Sequence, residues 1–98
     1  MSQINEEEIL QLLKVDLGKL NPDENTEHYL RHTISAAKEF IKREGVVLTT
    51  PFSVEDAELI KMYAAYLYRK RATPEPMPRS LRWALNNRIF SERKKDDS

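Results

Sequence analysis

The chain has 98 residues, of which 40% are hydrophobic and 33% charged. That suits one folded domain and is too apolar for an intrinsically disordered segment. Sixteen basic residues balance sixteen acidic ones, so the strongly positive charge of a dedicated nucleic-acid binder is missing. The lack of cysteine removes disulfides, thiol catalysis and cysteine-ligated zinc.

No apolar run is long enough to predict a membrane span, and no basic-then-apolar leader predicts secretion. The neutral total conceals a gradient. Residues 1–58 carry a net charge of −6 and residues 59–98 a net charge of +6. Such a split suits a subunit whose one end meets the other end of a copy of itself, or an acidic partner.

Two glycines, few β-branched runs and repeated capping signals predict an all-α fold. The first helix is expected from about Glu6 to Val15, with Asn5 as N-cap and Glu8 completing a capping box. Glu6, Glu7 and Glu8 lie where the helix dipole favours negative charge. Ile9, Leu12 and Leu13 are expected to form its inward stripe, and Gly18 with Asn21-Pro22 closes it in a loop.

The second helix, about Thr26 to Glu44, places Tyr29, Leu30, Thr33, Ile34, Ala37, Phe40 and Ile41 on one face, with Gly45 as its left-handed stop. Val46 to Phe52 is an apolar, β-prone connection broken by Pro51. A strand there would need a partner.

Ser53 and Asp56 open the third helix as a second capping pair, and the helix runs to about Arg71. Ile60, Tyr63, Ala64 and Leu67 form one stripe; Leu59, Met62 and Tyr66 form another, roughly 100° round the helix. A helix apolar over that much of its circumference is central in its domain or shared with another molecule.

Thr73 to Pro78 is a stiff, proline-rich connector. Pro78 is placed to start a fourth helix over about Arg79 to Arg93. Leu81, Leu85 and Ile89 mark one of its faces; Trp83 and Phe90, seven apart, mark nearly the opposite one. The polar tail from about Lys94 to Ser98 is expected to fray. The reading is therefore a single domain over 1–98: a small four-helix unit with a long central third helix and a short extended connection between helices two and three.

Catalytic chemistry does not assemble on this frame. His28 and His32 have the i, i+4 spacing of helical zinc ligands, but Tyr29 stands where a metalloprotease motif has Glu. Both fall on the polar side of the second helix. Glu6, Glu7 and Glu8 point in different directions around theirs. Two glycines cannot supply a phosphate-cradling loop or a nucleophile elbow.

What remains is surface. Arg69-Lys70-Arg71 closes the third helix, where positive charge suits the dipole, and Arg79, Arg82, Arg88, Arg93, Lys94 and Lys95 decorate the fourth helix and tail. From residue 59 onward there are six Arg to four Lys, a balance that leans towards directional protein contacts. Tyr29, Phe40, Tyr63 and Leu67 read as core. Met62 with Tyr66, and Trp83 with Phe90, are harder to bury in so small a domain and read as contact residues.

The order of these parts resembles the small head-tail connector (adaptor) proteins of tailed bacteriophages and prophages. The pieces are Leu12-Leu13-Lys14-Val15-Asp16, Tyr29-Leu30, Ile34-Ser35-Ala36-Ala37-Lys38-Glu39-Phe40-Ile41 and Glu55-Asp56. They continue with Ala64-Ala65-Tyr66-Leu67-Tyr68-Arg69-Lys70-Arg71, and with Met77-Pro78-Arg79-Ser80-Leu81-Arg82-Trp83-Ala84-Leu85 followed by Arg88.

The resemblance implies an all-α structural virion protein at the head-tail interface, assembled in the bacterial host cytoplasm. Its subunits form a ring beneath the portal protein, bridge to stopper or tail-completion components, and extend the DNA channel. It implies no enzymatic activity and no cofactor. DNA would pass through without sequence-specific binding. One departure is the shortness of Val46–Phe52, which argues against a long tunnel-lining arm.

The expected oligomer or portal interface comprises Leu59, Met62, Tyr66, Arg79, Arg82, Trp83, Arg88 and Phe90. The alternative is a small helical nucleic-acid-binding or DNA-packaging accessory protein using the basic surface of 69–95. A metal-assisted enzyme built on His28 and His32 is the third possibility.

Overall fold

The computed structural model describes residues 3–96. The expected fraying at Asp97 and Ser98 lies outside them. The elements are β1 (Gln3–Ile4), α1 (Glu6–Leu17), α2 (Glu24–Arg43), β2 (Phe52–Ser53), α3 (Val54–Lys70) and α4 (Arg79–Asp96). Four helices carry the fold, and α3 is its centre because it packs against α1, α2 and α4. It is not the longest, however: α2 has 20 residues and α3 has 17.

Local chemistry sets the helix ends. The Asn5 side chain accepts the Glu8 N–H at 2.8 Å, and Glu8 Oε1 accepts the Asn5 N–H at 3.3 Å, so the capping box closes in both directions. Gly18, with φ 69°, ends α1 in the left-handed conformation that a residue with a Cβ resists.

α2 begins two residues earlier than its apolar periodicity suggests. The Asp23 carboxylate accepts the Thr26 N–H at 2.7 Å and supplies the cap. Ser53 caps α3 by accepting the Asp56 N–H at 3.1 Å. The Asp56 side chain does not turn back to complete a box; it leaves the helix for Arg88.

α4 begins with Pro78 in the cap position, whose carbonyl accepts the Arg82 N–H at 3.1 Å. No acid occupies the first turn of α4. The helix runs on to Asp96, so Lys94 and Lys95 are helical rather than frayed.

The core is one cluster. Ile9, Leu10 and Leu13 of α1, Leu30, Ile34, Ala37 and Ile41 of α2, Ile60 and Ala64 of α3, and Leu81 of α4 are almost wholly removed from water. Burying each large aliphatic side chain contributes ~1.5–3 kcal/mol. On α1 the inward stripe is Ile9, Leu10 and Leu13; Leu12, expected inside, is exposed. Phe40 also corrects the reading. It lies at the rim, stacked on Tyr63 with ring centroids 5.7 Å apart, with the Arg43 guanidinium over its ring.

The apolar connection finds its partner within the chain. Phe52–Ser53 pairs antiparallel with Gln3–Ile4, with Ile4 opposite Phe52. Phe52 and Val46 are buried, which fastens both ends of the segment to the domain.

Ion pairs tie α1 to neighbouring helices. Arg31 holds Glu7 through two hydrogen bonds at 2.9 and 3.0 Å. Lys38 pairs with Glu6, Lys14 with Glu27, and Lys61 with Asp16. The Arg71 guanidinium lies beside both the Tyr29 and Tyr68 rings, 4.6 and 4.5 Å from their centroids. That contact joins α2 to the end of α3.

Candidate interaction surface

The sequence places eight residues at an oligomer or portal contact, and the structure sorts them into four environments. Leu59 and Tyr66 are buried, at 3% and 8% exposure. They belong to the core and are removed from the contact set. The reason is α4: it packs against α3, and Leu59 and Met62 line one groove together with Trp83 and Ala84. The second stripe of α3 is thus used within the chain. Met62 is only half-buried and stays at the groove wall.

Arg88 is the second correction, because it is a strut. Its Nε donates to Asp56 Oδ1 at 2.7 Å and its Nη2 donates to the Val47 carbonyl at 3.2 Å. Its Nη1 faces Glu92 Oε1 at 3.5 Å. Glu92 in turn accepts the Val47 N–H at 2.6 Å. The network therefore holds the 46–52 connection against both α3 and α4.

Its electrostatics follow from these contacts. The Val47 N–H, with the Arg88 charge behind it, holds the Glu92 carboxyl below its ordinary pKa against the opposing effect of burial. The hydrogen bond to Asp56 raises the Arg88 guanidinium above its ordinary value. Glu92 was not singled out in the sequence. Its i, i+4 spacing from Arg88 is a local signal, but nothing local links either residue to Asp56, 32 residues before Arg88, or to Val47.

Arg79, Arg82, Trp83 and Phe90 remain at the surface. Trp83 is 69% exposed and Phe90 61%. At 100° per residue Arg79, Trp83, Asn86, Phe90 and Lys94 share one outward face of α4, opposite the Leu81 and Leu85 side that enters the core. Lys94 Nζ lies 5.4 Å from the centre of the Phe90 ring. Two large aromatics held in water between cations have the composition of an interface centre.

The groove beside this face has a volume of about 1030 Å³ and is open to solvent. Trp83 and Asn87 form one wall, and Leu59, Met62 and Glu55 form the other.

The basic residues divide likewise. Arg71 and Arg88 are engaged internally, whereas Arg69, Lys70, Arg79, Arg82 and Arg93 have no carboxylate within 4.0 Å among the described residues. His28 and His32 are exposed on α2. No group of three or more His, Asp or Glu side chains able to hold a metal ion occurs among the described residues. No described helix is long and apolar enough to cross a membrane. In comparisons with known proteins, no family model matches the chain, and neither a curated protein nor a solved structure matches it significantly.

Proposed function

We propose that this protein is a structural virion subunit: one member of a connector ring that joins a phage portal to stopper or tail components and extends the DNA channel. The observation that carries the reading is the outward face of α4. Trp83 and Phe90 are surface aromatics that contribute nothing to the core, and exposing them is unfavourable unless something covers them.

The order of chain segments that resembles the head-tail connectors supports the same reading. So does the zero net charge, since a conduit should not grip phosphates that must slide past. The function needs no catalytic group and no cofactor.

Electron microscopy of the protein mixed with its cognate portal tests this reading. A ring of extra density seated on the portal is expected, and a bare portal at saturating protein would overturn the proposal.

Arg69, Lys70, Arg79, Arg82 and Arg93, which have no carboxylate within 4.0 Å among the described residues, favour a second reading, a helical accessory protein that binds DNA. Titration with duplex DNA at two salt concentrations separates the two. A connector subunit binds weakly at both, whereas a DNA-binding protein binds tightly at low salt and loses affinity steeply as salt rises.

A further inference from the structure

A second outward face on this chain complements the first. On α1, Glu8, Gln11, Leu12 and Val15 fall within about 100° of one another on the side away from Ile9, Leu10 and Leu13. Leu12 is 43% exposed and Val15 62%, and Leu20 just beyond the helix is exposed as well. Glu8, whose carboxylate also accepts the Asn5 N–H, gives this apolar strip its acidic end, while Glu6 and Glu7 point elsewhere and are paired with Lys38 and Arg31.

The α4 face reads cation, aromatic, aromatic, cation, with Arg79 four residues before Trp83 and Lys94 four residues after Phe90. On α1, Glu8 lies four residues before Leu12. Laid against each other in either direction, the two strips bring a cation to Glu8 and an aromatic ring to Leu12. α1 and α4 both pack on α3 but have little contact with each other, so the two strips are separate surfaces of one molecule.

We infer that these faces bind each other between copies: the α4 face of one subunit covers the α1 face of the next. The occupant is a second copy of this chain, because the same molecule carries both the basic aromatic strip and the acidic aliphatic strip that fits it. Such a contact is heterologous, and repeated heterologous contacts close into rings or extend into filaments.

A single helix-on-helix seam falls below the ~1,200 Å² of buried surface typical of stable complexes. Association is therefore weak in free solution and is completed where a template holds the subunits side by side. The biological purpose rests on the connector reading; the contact itself is tested without any portal.

Sedimentation velocity decides it with two surface-blocked variants, Leu12→Glu/Val15→Glu and Trp83→Glu/Phe90→Glu, each checked for helicity by circular dichroism. The parent protein is expected to form larger species as its concentration rises towards the millimolar range. Each variant alone should stay monomeric. Their equimolar mixture should form a dimer and stop there, because one good face survives on each partner.

Adding Arg79→Glu and Lys94→Glu to the parent should weaken association about fivefold. Three results overturn the inference: a parent protein monomeric throughout, an α1-blocked variant that still self-associates, or a mixture that stays monomeric. A portal that binds the parent while the mixture stays monomeric would overturn this contact and leave the connector reading standing.

Discussion

Tyr66 and Trp83 are both large aromatics on helices with two apolar sides, yet they do opposite work. Tyr66 is enclosed, so Tyr66→Ala removes buried contacts and leaves a cavity; it should cost about 3 kcal/mol in urea unfolding. Trp83 faces water, so Trp83→Ala should change stability by less than about 0.5 kcal/mol while abolishing, on the proposed connector reading, assembly on the portal. Equal losses in the two variants would place Trp83 in the core.

Glu92 makes a separate statement about pH. Its folded pKa is lowered, as are those of Glu7, Asp23 and Glu27, so the unfolded chain takes up protons first as the solution is acidified. The stability these groups contribute is complete above the ordinary carboxylate range, ~4, and is lost as pH falls through their folded values. Urea midpoints should be flat from neutrality to that range and drop below it. Glu92→Gln should flatten the drop, and an unchanged slope would show that Glu92 is not held as described.

Among the elements, α4 is the one anchored by few means. Its first turn has no acid to meet the dipole, and its apolar anchors are Leu81 and Leu85 with Ala84 and Ile89 half-buried. The Asp56–Arg88–Glu92 network supplies the remainder of its attachment. Asp56→Ala leaves Arg88 partly buried without its principal partner and should cost about 3 kcal/mol. In hydrogen exchange the α4 amides should open before those of α2 and α3, and Asp56→Ala should widen the gap.

The elements also differ in how far the sequence reveals them. Asn5 with Glu8, and Ser53 with its hydroxyl towards Asp56, set helix starts through contacts three residues apart, and those are visible in the chain. The start of α2 is less so, because Asp23 caps a first turn that has no apolar periodicity to mark it.

The pairing of Gln3–Ile4 with Phe52–Ser53 joins segments nearly fifty residues apart and has no local signature beyond an apolar run in need of a partner. The candidate surface divides in the same way. Trp83 and Phe90 are legible as exposed because the opposite face of their own helix is apolar. Leu59 and Tyr66 are not legible as buried, because the periodicity of α3 alone cannot locate the helices that pack against it.

For the whole molecule, the contrast between a −6 half and a +6 half is redistributed by folding. Lys14, Arg31, Lys38 and Lys61 neutralise acids of α1 and its neighbours within the chain. Among the described residues, Arg69, Lys70, Arg79, Arg82 and Arg93 have no carboxylate within 4.0 Å, and they lie at the end of α3 and along α4, the helix of the two exposed aromatics. The molecule measures 47 × 32 × 18 Å. On the proposed connector reading, this flattened shape, with one outward face on α1 and another on α4, would serve as a segment of a ring.

The proposed connector role requires Trp83 to be covered when the protein binds its portal. Trp83 is the chain's single tryptophan, so biosynthetic 5-fluorotryptophan gives one fluorine signal, and an unlabelled portal adds none. Titrating the labelled protein with its cognate portal should shift and broaden that signal until the solvent-exposed resonance disappears. A sharp, unshifted resonance at saturating portal would contradict the assignment of α4 as the assembly face.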